Sequence, residues 1–74
     1  MIVLGTEISD DVLEEAWAEA CKNGLSFIGL DWQIHRRRTD LTMEQASRAA
    51  DRLLQRKRKA GVCRYHKGKW EVVE

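Results

Sequence analysis

The chain has 74 residues, of which 43% are hydrophobic and 34% charged, and its formal net charge at pH 7 is +1. This length accommodates one domain, residues 1–74, and this composition favours a compact domain over a disordered chain. No apolar run is long enough to span a membrane, and the N-terminal MIVLGTE lacks the basic lead-in of a secretory signal. We therefore expect a cytoplasmic protein without a membrane partner, whose Cys21 and Cys63 are reduced thiols.

The net charge conceals a strong split between the two halves of the sequence. Residues 1–31 contain seven acidic residues and one lysine, whereas residues 32–74 contain twelve lysines and arginines and five acidic residues. A chain with this asymmetry can present a basic surface although its isoelectric point, about 7.8, is unremarkable. We expect a polyanion to bind to the second half.

The first 24 residues predict a scaffolding helix. Met1–Leu4 is a short apolar run that is compatible with an edge strand or with an apolar tail lying on the core. Ser9 is a suitable N-cap, and Ile8 and Leu13 are spaced as a hydrophobic staple. An acidic first turn favours the helix, and Gly24 is expected to end it. Such a helix is acidic outside and apolar inside.

Residues 25–40 have two interpretations, and the fold class depends on them. Apolar and more polar residues alternate here, which favours a strand. The apolar members of this alternation are Ile28, Leu30, Trp32 and Ile34. Asp31, however, is a good N-cap for a short helix from Trp32 to about Arg38 that buries Trp32 and Ile34 at its start. The helix predicts a mainly α fold with a C-terminal β-hairpin, and the strand predicts an α+β fold with an antiparallel sheet backed by two helices.

Residues 41–60, LTMEQASRAADRLLQRKRKA, form the one long segment with an unbroken helical period. Thr42 and Gln45 have the spacing of a capping box, and Gly61 after the basic run is a typical stop. The predicted inward stripe consists of Ala46, Ala50, Leu53 and Lys57, widened by Ala49 and Leu54. Its small residues allow another helix to approach closely, while arginines on the outer face can reach a nucleic acid.

Beyond Gly61 the pattern indicates a β-hairpin over residues 62–73. Two runs of strand-forming residues flank Lys67-Gly68, a two-residue turn in which glycine tolerates a positive φ. Tyr65 and Trp70 are placed to pair across the hairpin or to pack on the helix. Basic residues lie at and beside the predicted tip: Arg64, Lys67 and Lys69.

From Asp31 to Tyr65, the order of short helix, tight turn, long helix, glycine and basic hairpin resembles the winged helix-turn-helix domains of bacterial and phage transcription regulators. The match runs residue by residue through IHRRRTDLTMEQASRAADRL. Ile34 stands at a buried position of the second helix, Leu41 at the apolar position of the turn, and Thr42 at the cap of the recognition helix. Ala46, Ala50 and Leu53 match the buried stripe of that helix, Ser47-Arg48 matches a common Ser-Arg pair, and KAGVCRY resembles the sequence that leads into the wing.

The resemblance implies a small protein that binds double-stranded DNA, as a transcription regulator or an excisionase-like factor. Its recognition helix, 42–60, would place its N-terminal part in the major groove, and hairpin 62–73 would act as the wing. Arg48 and Gln45 are the expected base readers, and Thr42 and Ser47 are expected to contact phosphate or base. The remaining expected DNA-binding residues contact phosphates: Arg52, Arg36, Arg37 and Arg38 from the helices, and Arg64, Lys67 and Lys69 from the wing. A homodimer and a host protein are the further partners that we consider.

Other chemistries have weaker support in the sequence. Cys63 and His66 have ligand-like spacing, and Cys21 and His35 could complete a set of four, but paired zinc-finger motifs are missing, so we expect no metal site. No catalytic triad, glycine-rich phosphate loop or paired-acid motif stands out, so we expect neither an enzyme nor a cofactor. We expect the three tryptophans to anchor the core. The alternative function is a small α/β interaction module or inhibitor that binds an acidic protein partner.

Overall fold

The computed structural model describes residues 1–73 and contains three helices with a two-stranded antiparallel hairpin at each end of the chain. The elements in chain order are β1 (Ile2–Val3), β2 (Thr6–Glu7), α1 (Asp10–Lys22), α2 (Phe27–Arg37), α3 (Met43–Lys59), β3 (Cys63–His66) and β4 (Lys69–Val72). The mainly helical architecture with a C-terminal β-hairpin is therefore confirmed. None of the described helices combines the length and the apolar character needed to cross a bilayer.

The N-terminal segment forms a small hairpin rather than a tail, because Val3 pairs with Thr6 and the turn between them is left-handed at Leu4 and Gly5. The terminal amine of Met1 donates a hydrogen bond to the backbone oxygen of Ile8 at 2.9 Å, which closes the hairpin onto the start of α1. Val3 and Ile8 are completely buried. The N-terminal hairpin thus supplies part of the core.

The predicted cap of α1 is confirmed: the Ser9 side chain accepts a hydrogen bond from the backbone N–H of Val12. Ile8 and Leu13, the two members of the predicted staple, are both buried. The helix ends at Lys22, and Gly24 adopts a φ of +83°, as expected after a helix terminus. Both ends of α1 are thus determined by residues next to them in the sequence.

The strand interpretation of residues 28–36 is wrong, and so is the fold in which a sheet is backed by two helices. These residues lie in α2, which begins five residues before the predicted start at Trp32 because Ser26, not Asp31, is its N-cap. Leu30 and Ile34 are completely buried one helical turn apart. Trp32, which we expected to be buried, exposes 62% of its surface. The segment is helical because burial of Leu30 and Ile34 against α1 and α3 outweighs the strand-like alternation of its sequence.

The predicted capping box of α3 is present in full. Thr42 Oγ1 accepts from the backbone N–H of Gln45 at 3.1 Å, and Gln45 Oε1 accepts from the backbone N–H of Thr42 at 2.9 Å. At the other end, Gly61 has a φ of +78°, and the N–H of Val62 reaches back to the carbonyl of Lys57. The buried stripe is that predicted except at Lys57, which is half-buried: it consists of Ala46, Ala49, Ala50, Leu53 and Leu54. Its alanines let α2 pack close to the first half of α3.

The C-terminal hairpin is also confirmed, with Tyr65 opposite Trp70 and a tight turn at Lys67-Gly68. Both turn residues have positive φ, +51° for Lys67 and +80° for Gly68, which is the geometry of a type I′ turn. The rings of Tyr65 and Trp70 meet edge to face with centroids 5.3 Å apart. The core-anchor prediction therefore holds for Trp17, which is buried, and in part for Trp70, which is half-buried, but not for Trp32.

Candidate nucleic-acid interface

The helical phase of α3 decides which of its polar side chains face solvent. Successive residues of an α-helix are rotated by about 100°, so Arg48, Gln55 and Lys59 point away from the buried alanine and leucine stripe. The N-terminal hairpin lies along one flank of α3, which Gln45 and Arg52 occupy. The other flank contacts α2 through Ser47 and adjoins the C-terminal hairpin near Arg58. Only the outer face between these flanks is open along its length.

Gln45 and Arg52 attach α3 to the N-terminal hairpin. Gln45 Nε2 donates to Thr6 Oγ1 at 2.8 Å, while its Oε1 serves the capping box at Thr42. Arg52 Nη1 donates to the backbone oxygen of Ile2 at 2.6 Å. Gln45 thus has both ends of its amide engaged within the protein, and the guanidinium of Arg52 is held at the side of the outer face.

The arginine run at the end of α2 also has internal partners. Arg38 forms a two-point pair with Asp40, with both nitrogen–oxygen distances 2.9 Å, and donates to the backbone oxygen of Glu7 at 2.8 Å. This hydrogen-bonded pair lowers the pKa of Asp40 and raises that of Arg38. Arg37 donates to both the backbone oxygen and the side-chain oxygen of Gln33, the latter at 2.6 Å. These two arginines therefore hold the α2–α3 turn and α2 itself.

The third arginine of that run, Arg36, is exposed and has no hydrogen-bond or salt-bridge partner among residues 1–73. Ser47, which is predicted to contact phosphate or base, donates to Asp31 Oδ2 at 3.0 Å and links α3 to α2. Thr42 remains exposed while its hydroxyl caps α3. The structure thus gives Ser47 and Thr42 definite structural roles and leaves Arg36 in solvent.

The basic run RKRK at the end of α3 is divided between two directions. Lys57 Nζ lies 2.8 Å from Glu14 Oε1 and 5.4 Å from the centroid of the Trp17 ring, and Arg56 lies 3.9 Å from Asp10. These two cations therefore face the acidic helix α1. Arg58 and Lys59 face away from it and are exposed. Arg58 donates only to the neutral amide of Gln55, at 3.3 Å.

The C-terminal hairpin adds three further cations. Arg64 Nε lies 3.1 Å from Glu71 Oε2, and this hydrogen bond lowers the pKa of Glu71. His66 Nδ1 lies 3.7 Å from the other oxygen of the same carboxylate. Lys67 and Lys69, at the tip, are exposed and make no salt bridge within the described part of the chain. The tip thus exposes two positive charges to solvent.

Together these residues form what we call the outer basic surface: Arg48, Arg58, Lys59, Arg64, Lys67 and Lys69. Its positive charge is not evenly distributed. At the start of the outer face, Glu44 and Asp51 offset the charge of Arg48 and Arg52, and Arg48 Nη2 lies 3.2 Å from Glu44 Oε1. At its other end, within residues 1–73, the cations of α3 and of the hairpin outnumber one carboxylate, that of Glu71. The structure therefore concentrates exposed positive charge at the end of α3 and on the hairpin.

Three residues of this region were missed by the sequence analysis. Gln55, Arg58 and Lys59 lie in the outward phase of α3, and the first two line a shallow cleft with Tyr65 and Trp70. The signal was present, because continuing the helical wheel from Arg48 leads directly to Gln55 and Lys59.

The thiols and histidines do not form a metal site of the kind considered. Among residues 1–73, no group of three or more His, Cys, Asp or Glu side chains is placed to hold a metal ion. Cys63 is buried and Cys21 partly buried, and loss of solvation raises the pKa of both thiols. His35 Nε2 lies 3.1 Å from the backbone oxygen of Leu41, so this ring supports the α2–α3 turn.

The chain was compared with protein-family models, with curated proteins and with solved structures. None of the three comparisons found a match to it.

Proposed function

We propose that this protein binds double-stranded DNA, as a small cytoplasmic transcription regulator or excisionase-like factor of the winged helix-turn-helix type. In this proposal α3 lies in the major groove and the C-terminal hairpin acts as the wing. The observation that supports it best is the outer basic surface, since six exposed cations lie on the two elements that such a protein turns toward DNA. The resemblance of residues 31–65 to winged helix-turn-helix domains supports the same assignment.

Phosphate contacts are assigned to the cations that the fold leaves in solvent. Lys67 and Lys69 project from a rigid two-residue turn, and Arg58 and Lys59 lie at the end of α3 that adjoins the hairpin. Such cations neutralise phosphates and release condensed counterions, which makes affinity fall steeply with salt. Arg36 is a further phosphate candidate at the end of α2. Arg37, Arg38 and Arg52 hold the scaffold that positions these cations.

Base reading is assigned chiefly to Arg48. It lies toward the start of the outer face, and its guanidinium can pair with the O6 and N7 atoms of guanine in two-point geometry. Its contact with Glu44 is between side chains that expose 55% and 66% of their surfaces, so the pair is weak and DNA can displace it. Gln45 would have to leave both the capping box and Thr6 to read adenine, so its contribution is to hold the start of α3.

The proposal is tested by titrating the native chain into mixed-sequence duplex DNA at low and moderate salt, in parallel with Arg48→Ala and Arg36→Ala. We expect affinity at roughly 50 mM salt to fall at least tenfold by roughly 200 mM, and each substitution to weaken binding. Lys22→Ala is the matched control, because Lys22 is an exposed cation on α1 that is paired only with Glu19. Absence of binding at low salt, or an equal loss in Lys22→Ala, would contradict the proposal.

A further inference from the structure

An exposed apolar groove lies outside the outer basic surface. It is lined by Ile28 and Trp32 on α2 and by Met43 at the first position of α3, with Asp31 and His35 at its edge. Ile28 and Met43 each expose 79% of their surface and Trp32 exposes 62%. A patch of three large apolar side chains is comparable in size with the largest apolar patch of a typical monomer, and such patches are often functional.

The fold does not require these apolar side chains. Leu30 and Ile34 bury α2 on its other side, and Ser26 caps it, so polar residues at positions 28 and 32 would leave α2 equally well packed. The capping box similarly starts α3 without help from Met43. Apolar side chains can contact thymine methyl groups, but these three line a groove between α2 and the start of α3, outside the outer face that the DNA-binding proposal uses. The groove therefore needs a partner of another chemistry.

The shape of the groove suits a helix. Ile28 and Trp32 are four residues apart on one face of α2, and Met43 flanks them from the next helix, which creates an apolar channel between two helices. Amphipathic helices bind in such channels through apolar side chains repeated every three or four residues. Three side chains provide a few hundred Å², whereas each folded partner in a standard complex buries about 800 Å². A single short element thus fits better than a second folded copy of this chain.

The charges around the groove indicate the charge of that element. Arg36 lies one helical turn beyond Trp32 and has no acidic partner within residues 1–73, and Lys69 lies at the other end beside Ile28. The one carboxylate at the edge, Asp31, already accepts a hydrogen bond from Ser47. The apolar strip is therefore flanked by available positive charge at both ends.

We propose that the groove formed by Ile28, Trp32 and Met43 binds an amphipathic helix of another protein, with apolar residues on one face and acidic residues beside them. Apolar side chains of that helix cover Trp32, and its carboxylates pair with Arg36 and Lys69. The apolar strip lies outside the outer basic surface, but Lys69 belongs to both sites and Arg36 is also a phosphate candidate. The acidic helix and DNA therefore compete for these two cations.

The probe is a synthetic sixteen-residue amphipathic helix with a leucine stripe flanked by glutamates, and its matched control has lysines in place of the glutamates. Binding is followed by the backbone amide shifts of the isotope-labelled full chain and by the indole N–H signal of Trp32. We expect the acidic peptide to shift signals of Ile28, Trp32 and Met43 and to bind at least tenfold more tightly than the basic one. Trp32→Ala should weaken binding about thirtyfold, because a central aromatic residue dominates such contacts.

Ile2→Ala serves as the matched variant, since Ile2 is an equally exposed apolar residue, at 64%, on the N-terminal hairpin far along the chain from the groove. It should bind the acidic peptide as the native chain does, and Trp32→Ala should retain native affinity for duplex DNA if the chain binds DNA. Equal binding of both peptides, shifts outside the groove, or no binding overturns the proposal. Self-association of the native chain that Trp32→Glu abolishes would overturn it in favour of a second copy.

Discussion

The two groups of basic residues in this protein differ in what surrounds them. Arg38 and Arg52 donate to backbone oxygens of the N-terminal hairpin, and Arg37 donates to Gln33 on α2 and lies near Glu15 on α1. The outer basic surface extends over the end of α3 and the C-terminal hairpin. There Lys67 and Lys69 are exposed and form no salt bridge with any residue from 1 to 73. The first group holds the scaffold together, and the second is available to a polyanion.

A run of basic residues in a sequence therefore does not show how many of them are free to bind a polyanion. RRR at the end of α2 and RKRK at the end of α3 look alike, yet acidic or carbonyl oxygens from the first fifteen residues take up part of each run. Arg38 reaches Glu7, Arg37 reaches Glu15, and Lys57 reaches Glu14. The acidic first half therefore neutralises selected cations of the second half and leaves the others exposed.

The largest expected effect comes from removing charge from the outer basic surface. The triple variant Arg58→Gln, Lys67→Gln, Lys69→Gln should bind duplex DNA roughly a hundredfold less tightly at low salt, and the slope of log K against log salt should become shallower by about 2.7. Its unfolding free energy should stay close to that of the native chain, since these residues pair with no carboxylate in the described structure. Filter binding across a salt series and denaturant melts measure the two quantities. An unchanged slope would show that these three cations do not contact phosphates, and would contradict the distinction between the paired arginines and the outer basic surface.

A smaller effect is expected from Arg37→Ala, and it should appear in stability and not in DNA binding. Arg37 exposes 22% of its side chain, donates twice to Gln33 and lies 3.7 Å from Glu15, so its loss should lower the unfolding free energy by about 2 kcal/mol. The salt slope of DNA binding should not change. Denaturant unfolding measures the stability, with the exposed neighbour Arg36→Ala as the control that should retain native stability. If the salt slope changed while the unfolding free energy stayed native, Arg37 would be a DNA-contacting residue.

The smallest effect concerns the pH dependence of the turn between α2 and α3. Because the bond from Arg38 lowers the pKa of Asp40 in the folded state below its ordinary value of 3.8, the pair stabilises the protein above that pH. This contribution is lost as the pH falls through 3.8 and then through the lower folded pKa, because the unfolded chain takes up the proton first. Thermal melts of the native chain and Asp40→Asn should therefore differ at pH 7, begin to converge as the pH falls through 3.8, and coincide only below the folded pKa of Asp40. If the difference in melting temperature between the two chains stayed constant with pH, the ionised carboxylate of Asp40 would not be its cause.

Local signals predicted most of the elements correctly. Ser9, the Thr42–Gln45 capping box, Gly61 and Lys67-Gly68 act through backbone contacts within a few residues, so the caps of α1 and α3 and the C-terminal hairpin could be read directly. The start of α2 could not. Ile28 and Trp32 fit a strand alternation and a helical stripe equally well, and only the burial of Leu30 and Ile34 against α1 and α3 separates the two.

The candidate site was predictable as a region but not residue by residue. The position of Arg48 on the outer face followed from helical phase, as did those of Gln55 and Lys59, which we had not singled out. The partners of Gln45 and Arg52 lie thirty-nine and fifty residues away in the sequence, and no local pattern reveals them. Ser47 likewise finds Asp31 only once α2 packs on α3.

The sequence alone determined where the chain turns, where α1 and α3 begin and end, and which half carries the positive charge, because those properties depend on neighbouring residues. Only the tertiary structure decided which cations are neutralised and which apolar side chains remain in solvent. Both outcomes depend on surfaces brought together from distant parts of the chain, and electrostatic pairing and burial act through space and not along the sequence.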